Sequence, residues 1–240
     1  MSDNVRRGYV PEDERDFSEK ALPVLRKALS DIAELLDRGY PVKPASTFVG
    51  NHYQLTERQR LALARAASSK DKIALRRSKE LRTAPETVSL DGLNIIITLE
   101  TALSGTTLYR CMDGTVRDLA AMRGAYRIIG HTHTAVSLVL SYLEEKGAEN
   151  AVFYLDAPVS NTGRLKALIL EAAESSPVNV SCELVPNADT VLKDKDGVIT
   201  TDAIILDECH GWLSAAADII REKLPDTRVI DLTNQPTKGS

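Results

Sequence analysis

From residue 87 onward, short apolar runs alternate with amphipathic stretches. Segments 87–91, 151–156, 178–185, 197–201 and 227–232 are brief, rich in β-branched and aromatic residues, and bounded by turn formers, so they read as strands. Between several of them, apolar residues recur every three or four positions, over about 94–103, 134–147, 162–174 and 212–223. That is helical spacing. In 134–147 the stripe is Ala135, Leu138, Val139, Tyr142 and Leu143. Strands alternating with helices predict an α/β fold: a mostly parallel sheet flanked by helices.

The first 85 residues show only the helical period. Ala21, Leu22, Leu25, Leu29, Ile32, Leu35 and Leu36 mark a helix to Arg38, stopped by Gly39, with Pro41 and Pro44 preventing continuation. Pro23 predicts a kink in it or its true start. Residues 47–53 read as a short extended stretch or loop. Thr56 with Gln59 forms a capping-box pattern for the next helix, and a further helix is expected over 72–82. The expected organisation is a small basic helical domain at 1–85, an α/β domain at 86–234 and a flexible tail at 235–240. Residues 1–10 are expected to fray, and 104–134 to form a long, largely polar loop.

Composition narrows the class. Of 240 residues, 43% are hydrophobic and 27% charged, as in ordinary globular chains. No apolar run is long enough to span a bilayer, so no membrane role is expected. The first residues lack the apolar core of a secretion signal. Three cysteines make no even disulfide framework, which suits a reducing cytoplasm. The net charge of −4 hides an imbalance: residues 1–88 carry 17 Lys+Arg against 13 Asp+Glu, leaving 13 against 21 for the remainder. A basic front and an acidic back suit a polyanion gripped by one part and processed by the other, although chance unevenness gives the same split.

The acids carry the candidate chemistry. Asp91, Asp156 and Asp202 each end a predicted strand, and Asp189 follows another. In parallel sheets the functional crevice lies beyond the carboxyl ends of the strands. Carboxylates gathered there suit a hard cation, Mg²⁺ or Mn²⁺. The plainer alternative is that each aspartate caps the helix after it. In Asp91-Gly92-Leu93-Asn94, the glycine permits a tight turn, and Asn94 can orient Asp91 or contact a ligand. Ser160-Asn161-Thr162-Gly163-Arg164 could cradle phosphate at a helix start through Ser160, Asn161 and Arg164, or be an ordinary cap.

Arginines interleaved with tyrosines in 104–134 suit a path for single-stranded nucleic acid: Arg110, Arg117, Arg123 and Arg127, with Tyr109 and Tyr126 and with His131 and His133. A surface flap or a dimer contact, hence a homo-oligomer, is the alternative. A basic stretch from Arg58 to Arg82 offers a second contact or simply a solvated face. Cys209-His210 with other Cys and His residues matches no standard zinc spacing. No phosphate-loop, dinucleotide or nucleophile-elbow motif is present.

Two resemblances follow from these motifs. Leu90-Asp91-Gly92-Leu93-Asn94-Ile95 resembles the opening strand of NYN domains, a branch of the PIN-like nucleases. Ala188-Asp189 resembles their middle element, and Val198-Ile199-Thr200-Thr201-Asp202 a later strand that ends in a metal ligand. The resemblance spans roughly 87–232. It implies a PIN-like Rossmannoid fold and hydrolysis of phosphodiesters with one or two Mg²⁺ or Mn²⁺ ions. Asp91, Asp189 and Asp202 would be ligands, Asp156 a ligand or water-orienting group, and RNA the substrate; the alternative it leaves is an inactive RNA-binding or regulatory module. A closer resemblance covers nearly the whole chain. Arg38-Gly39-Tyr40-Pro41, Thr56-Glu57-Arg58-Gln59-Arg60, Asp113-Gly114, Arg117-Asp118 and Leu155-Asp156-Ala157-Pro158-Val159-Ser160, together with the Asp91 motif, are similar to an uncharacterised prokaryotic two-part family. That likeness implies relatedness but no activity.

Overall fold

Prolines set the helix starts of the front half. The computed structural model describes residues 5–120 and 124–233; Arg123 and the predicted tail lie outside them. After the single turn α1 (Asp13–Asp16), α2 (Leu22–Asp37) has Pro23 in its first turn, where no N–H is needed. Pro23 therefore marks the helix start and not a kink. Residues 47–53 are not extended: α3 runs Val42–His52, with Pro44 harmless in its first turn. Its buried face, Ala45, Ser46, Val49 and Gly50, holds only two residues with apolar side chains, too few to show a period. α4 (Glu57–Ala66) carries the full Thr56–Gln59 capping box, and α5 (Lys70–Ser78) is capped by Ser69.

The α/β part follows as β1 (Thr87–Asp91), α6 (Gly92–Leu103), β2 (Leu108–Arg110), β3 (Val116–Arg117), α7 (Thr132–Glu145), β4 (Asn150–Asp156), α8 (Thr162–Ala173), β5 (Asn179–Val185), α9 (Ala188–Leu192), β6 (Val198–Ile199), α10 (Ala203–Glu208), α11 (Ala215–Lys223) and β7 (Val229–Asp231). The main sheet runs β5-β4-β1-β6, all parallel, with Asp91 opposite Tyr154 in the β1–β4 register. Along β4, Ala151, Phe153 and Leu155 enter one core with α6, α7, α8 and α11, while Val152 and Tyr154 enter another with α9 and α10. Burial on both faces explains the unbroken apolar run there.

Residues 104–134 are not one loop. β2 and β3 form an antiparallel pair around the turn Asp113-Gly114, with Gly114 at φ +87. β7 pairs in parallel with β2, so it belongs to this second sheet, β3-β2-β7, and not to the main one. The second sheet joins two cores. Leu108 and Val116 face the α/β core, whereas Tyr109, Cys111 and Ile230 pack with Leu25, Leu29, Val49 and Leu63 of the front helices. Nor do residues 5–10 fray. Arg7 pairs with the buried Glu100 at 2.8 Å, and Arg6 donates to the Ser104 and Gly105 carbonyls. No helix among the described residues is long and apolar enough to cross a membrane.

Gly92 lets α6 start against β4. A Cβ there would lie 2.6 Å from Leu155 Cδ2 and 3.2 Å from the Tyr154 carbonyl oxygen. Gly92→Ala is expected to cost about 1–3 kcal/mol, the usual range for overpacking. Urea unfolding followed by circular dichroism measures it; an unchanged midpoint would mean that α6 shifts freely.

Candidate functional site

Numbered by their order along the chain, the strands of the main sheet lie third, second, first, fourth. The chain builds outward from β1 through β4 to β5 on one side and then crosses to β6 on the other, so a crevice opens beyond the carboxyl ends of β1 and β6, where ligand sites of open parallel sheets form. A cleft of about 790 Å³ lies there, between the front helices and the α/β part. Asp91, Asn94, Asp189, Asp202 and Arg117 all line it. Asp156, Ser160, Asn161, Arg164 and Arg110 do not line it.

Asp91 is 6% exposed. One carboxylate oxygen caps α6 by accepting the Asn94 N–H at 3.3 Å, and the other accepts the Thr200 hydroxyl at 3.0 Å. Burial is the main force raising its pKa to about 7, and the charges of Asp189 and Asp202 add to it against the two hydrogen bonds. Asp189, exposed at the rim, is also raised, by desolvation and then by Asp202 and Asp156. Asp202 caps α10, one oxygen accepting the N–H groups of Ile204 and Ile205 at 2.8 and 3.2 Å. Capping and clustering are therefore not alternatives here: Asp91 and Asp202 each fix a helix start and thereby their own position, while Asp189 sits in the first turn of α9, which Asn187 caps. Asn94 uses its side chain on Thr201, accepting its N–H at 2.8 Å and its hydroxyl at 3.1 Å, which ties the ends of β1 and β6 together.

The remaining predicted residues have other roles or places. Asp156 accepts the Ala188 N–H at 2.8 Å and so steadies α9, the helix that carries Asp189. Asn161, at φ +67, donates to the Tyr126 carbonyl, while Ser160 and Arg164 are exposed at the start of α8. Arg110 is exposed on the second sheet. Arg117 is buried. It donates to the Thr201 and Arg65 carbonyls and to Asp113 at 2.5 Å, so it holds the cleft wall together. Tyr109 and Tyr126 are 1% and 0% exposed, which removes them as stacking platforms for bases.

Much of the basic stretch is also occupied. Arg58 pairs with Asp13 and donates to the Leu119 carbonyl, Arg76 pairs with Asp113 and Asp207, and Lys79 donates to the Leu206, Asp207 and Cys209 carbonyls at the end of α10. These cations fasten the front helices to the α/β part. Arg65, Lys72 and Arg76 do reach the cleft, and Lys72 stays half-exposed 3.1 Å from Asp207. Tyr40, Asp118, Ile204 and Asp207 also line it, none of them named as site residues from the sequence. Tyr40 and Asp118 do lie in its recurring family motifs, which was the available signal.

As a cation site, the cleft offers hard carboxylate oxygens and few of them. Among the described residues, no three His, Cys, Asp or Glu side chains are arranged to hold a metal ion, and the three buried cysteines form no zinc group. Any cation held here would have to keep most of its waters, the common habit of Mg²⁺.

Residues 79–218 match the family described as "Domain of unknown function (DUF5616)", and residues 24–79 match "Protein of unknown function (DUF434)". The chain is 35% identical over 185 residues to an uncharacterised protein of Methanocaldococcus jannaschii, covering 76% of this chain and 88% of that one. No solved structure matches.

Proposed function

This chain belongs to the DUF5616 family, with a DUF434 segment before it, and from its own cleft we propose a metal-dependent phosphodiesterase acting on nucleic acid, RNA before DNA. One observation carries the reading. Asp91, Asp189 and Asp202 gather at the switch point of the sheet, in a cleft that basic side chains of the front helices also line. A buried carboxyl raised to about 7 with two acidic neighbours is unfavourable unless a cation or proton neutralises it. Evolved sites tolerate such arrangements for chemistry. The order of Asp91, Asp189 and Asp202 along the chain also agrees with the NYN-like motifs.

In this reading Asp91 and Asp202 would hold Mg²⁺ or Mn²⁺, which supplies Lewis acidity and an acidified water when bound. Asn94, through Thr201, keeps the two strand ends in register. Asp156 fixes α9 and with it Asp189. Lys72 and Arg65 offset phosphate charge at the cleft.

Single-turnover cleavage of labelled single-stranded RNA tests this. Cutting is expected with Mg²⁺ or Mn²⁺ and not with EDTA. Asp202→Asn is expected to slow it by roughly 100-fold or more, the scale of one lost preorganised electrostatic contact. Equal cutting by wild type and Asp202→Asn would point to a contaminant and sink the assignment. The second reading is a binding module without turnover. It is favoured by the capping duties of Asp91 and Asp202, which already use carboxylate oxygens on backbone N–H groups. RNA binding without cleavage in any cation would select it.

A further inference from the structure

Three large apolar side chains line the same cleft and stay open to solvent, Tyr40 at 56%, Ile204 at 55% and the smaller Val42 at 40% exposed, and the first two are the most open. These two reach it from separate parts of the fold. Tyr40 stands on the turn between α2 and α3. There Gly39, at φ +86, donates to the Leu36 carbonyl at 2.9 Å and Tyr40 donates to the Leu35 carbonyl at 3.1 Å. This is the paired bonding of a glycine-terminated helix, and the residue in the Tyr40 position usually folds back onto the helix as an apolar contact. Here it stays out. Pro41 follows at φ −65 and limits the chain further, so the ring is presented from a stiff backbone.

Ile204 is positioned by the site itself. Its N–H bonds the Asp202 carboxylate at 2.8 Å, which places an exposed branched side chain two residues from a candidate metal ligand. Exposed apolar groups beside a polar cleft indicate a ligand with an apolar face. On the phosphodiesterase reading that ligand also carries phosphate, whose charge Arg65 and Lys72, which line the same cleft, would offset.

Resting on the phosphodiesterase reading above, we propose that Tyr40 and Ile204 form a clamp for one unpaired base, so that the site takes single strands and rejects duplex. A base has two flat faces and tolerates an aromatic ring or an aliphatic branch against them, whatever its identity. A base inside a duplex already uses both faces on its neighbours and cannot enter. The clamp places the adjoining phosphate toward Asp91 and Asp202. It also supplies the aromatic surface that the buried Tyr109 and Tyr126 cannot provide.

The test is equilibrium binding of a short labelled pyrimidine RNA, the same sequence as DNA, and its duplex. The full-length chain is used, with Ca²⁺ in place of Mg²⁺. Wild type is expected to prefer single strands. Tyr40→Ala is expected to weaken single-strand binding by about 10-fold, for RNA and DNA alike, while duplex binding and the melting temperature stay unchanged. Tyr40→Phe should retain wild-type affinity, and Ile204→Ala should lose less than Tyr40→Ala. If wild type binds single strands and both alanine variants bind them equally well, the clamp is wrong and the cleft reading survives. If wild type binds no nucleic acid, the phosphodiesterase reading fails and the clamp fails with it.

Discussion

At about pH 8 without divalent cations, Asp91→Asn is expected to melt higher than wild type, not lower. The folded protein raises the Asp91 carboxyl from 3.8 to about 7, chiefly because burial penalises the charged form. The folded state therefore binds that proton more tightly than the unfolded chain does. This contribution to stability is complete below the unfolded value and is lost as pH rises through about 7. The loss is at most about 4 kcal/mol, because each tenfold difference in proton affinity between the two states is worth roughly 1.4 kcal/mol. The raised Asp189 carboxyl works in the same direction. Asparagine carries no charge, and its carbonyl can still accept the Asn94 N–H, so the variant should show a flatter profile. Mn²⁺ should then raise the wild-type melting temperature at this pH by mass action and leave Asp91→Asn unmoved. Scanning calorimetry of both proteins between about pH 5 and pH 8, with and without Mn²⁺, reads the whole set. A wild type that gains stability over that range would show that the Asp91 charge is welcome in the fold, and the cation argument would lose its physical basis.

Asp113→Ala is expected to be among the most damaging single substitutions outside the apolar core. Its side chain has no solvent exposure and receives Arg76 at 2.6 Å and Arg117 at 2.5 Å, while Thr115 occupies its other oxygen. Burial works to raise the Asp113 pKa, but Arg117, the Thr115 bonds and Arg76 outweigh it and hold it below the usual value. Removing the carboxylate leaves two guanidinium groups buried without it. The expected cost is about 3–5 kcal/mol, as for one partner taken from a buried ion pair. Because the folded pKa is depressed, the wild-type contribution is present above the unfolded value and is lost as pH falls through the folded one. Urea unfolding of wild type and Asp113→Ala near neutral pH, repeated in acid, measures both claims. The gap between the two proteins should narrow in acid. Arg76 belongs to α5 and Arg117 to β3, so this one carboxylate links the front helices to the second sheet. A variant with unchanged stability would mean that the link is dispensable and that the apolar contacts of Tyr109 and Ile230 suffice.

Much of the α/β half was legible from one dimension because its signals are local. β1 matched the predicted 87–91, and Asp91-Gly92 announced both a strand end and a close helix start. Thr56 and Gln59 announced a cap, since both partners lie within one turn. The parallel order followed from the alternation of periods. Elements without room for a period escaped: α3 has too few buried apolar side chains to print one, and α9 and α10 are too short, whereas β6 fell inside the predicted 197–201. The second sheet escaped for a different reason. β2 pairs with β7 across more than 100 residues, and no local pattern encodes a partner so distant.

The candidate site divides in the same way. Sequence alone placed Asp91 and Asp202 at strand ends, because an acid after an apolar run is a local fact. Only the tertiary structure decided that Asp189 joins them, that Asp156 steadies α9 instead of lining the cleft, and that Arg117, Tyr109 and Tyr126 lie inside the protein. It alone brought Tyr40 from the front helices into the cleft that Ile204 also lines. Charge and aromatic type can be read from a chain, but whether a side chain meets solvent or another side chain depends on what the rest of the chain folds against it.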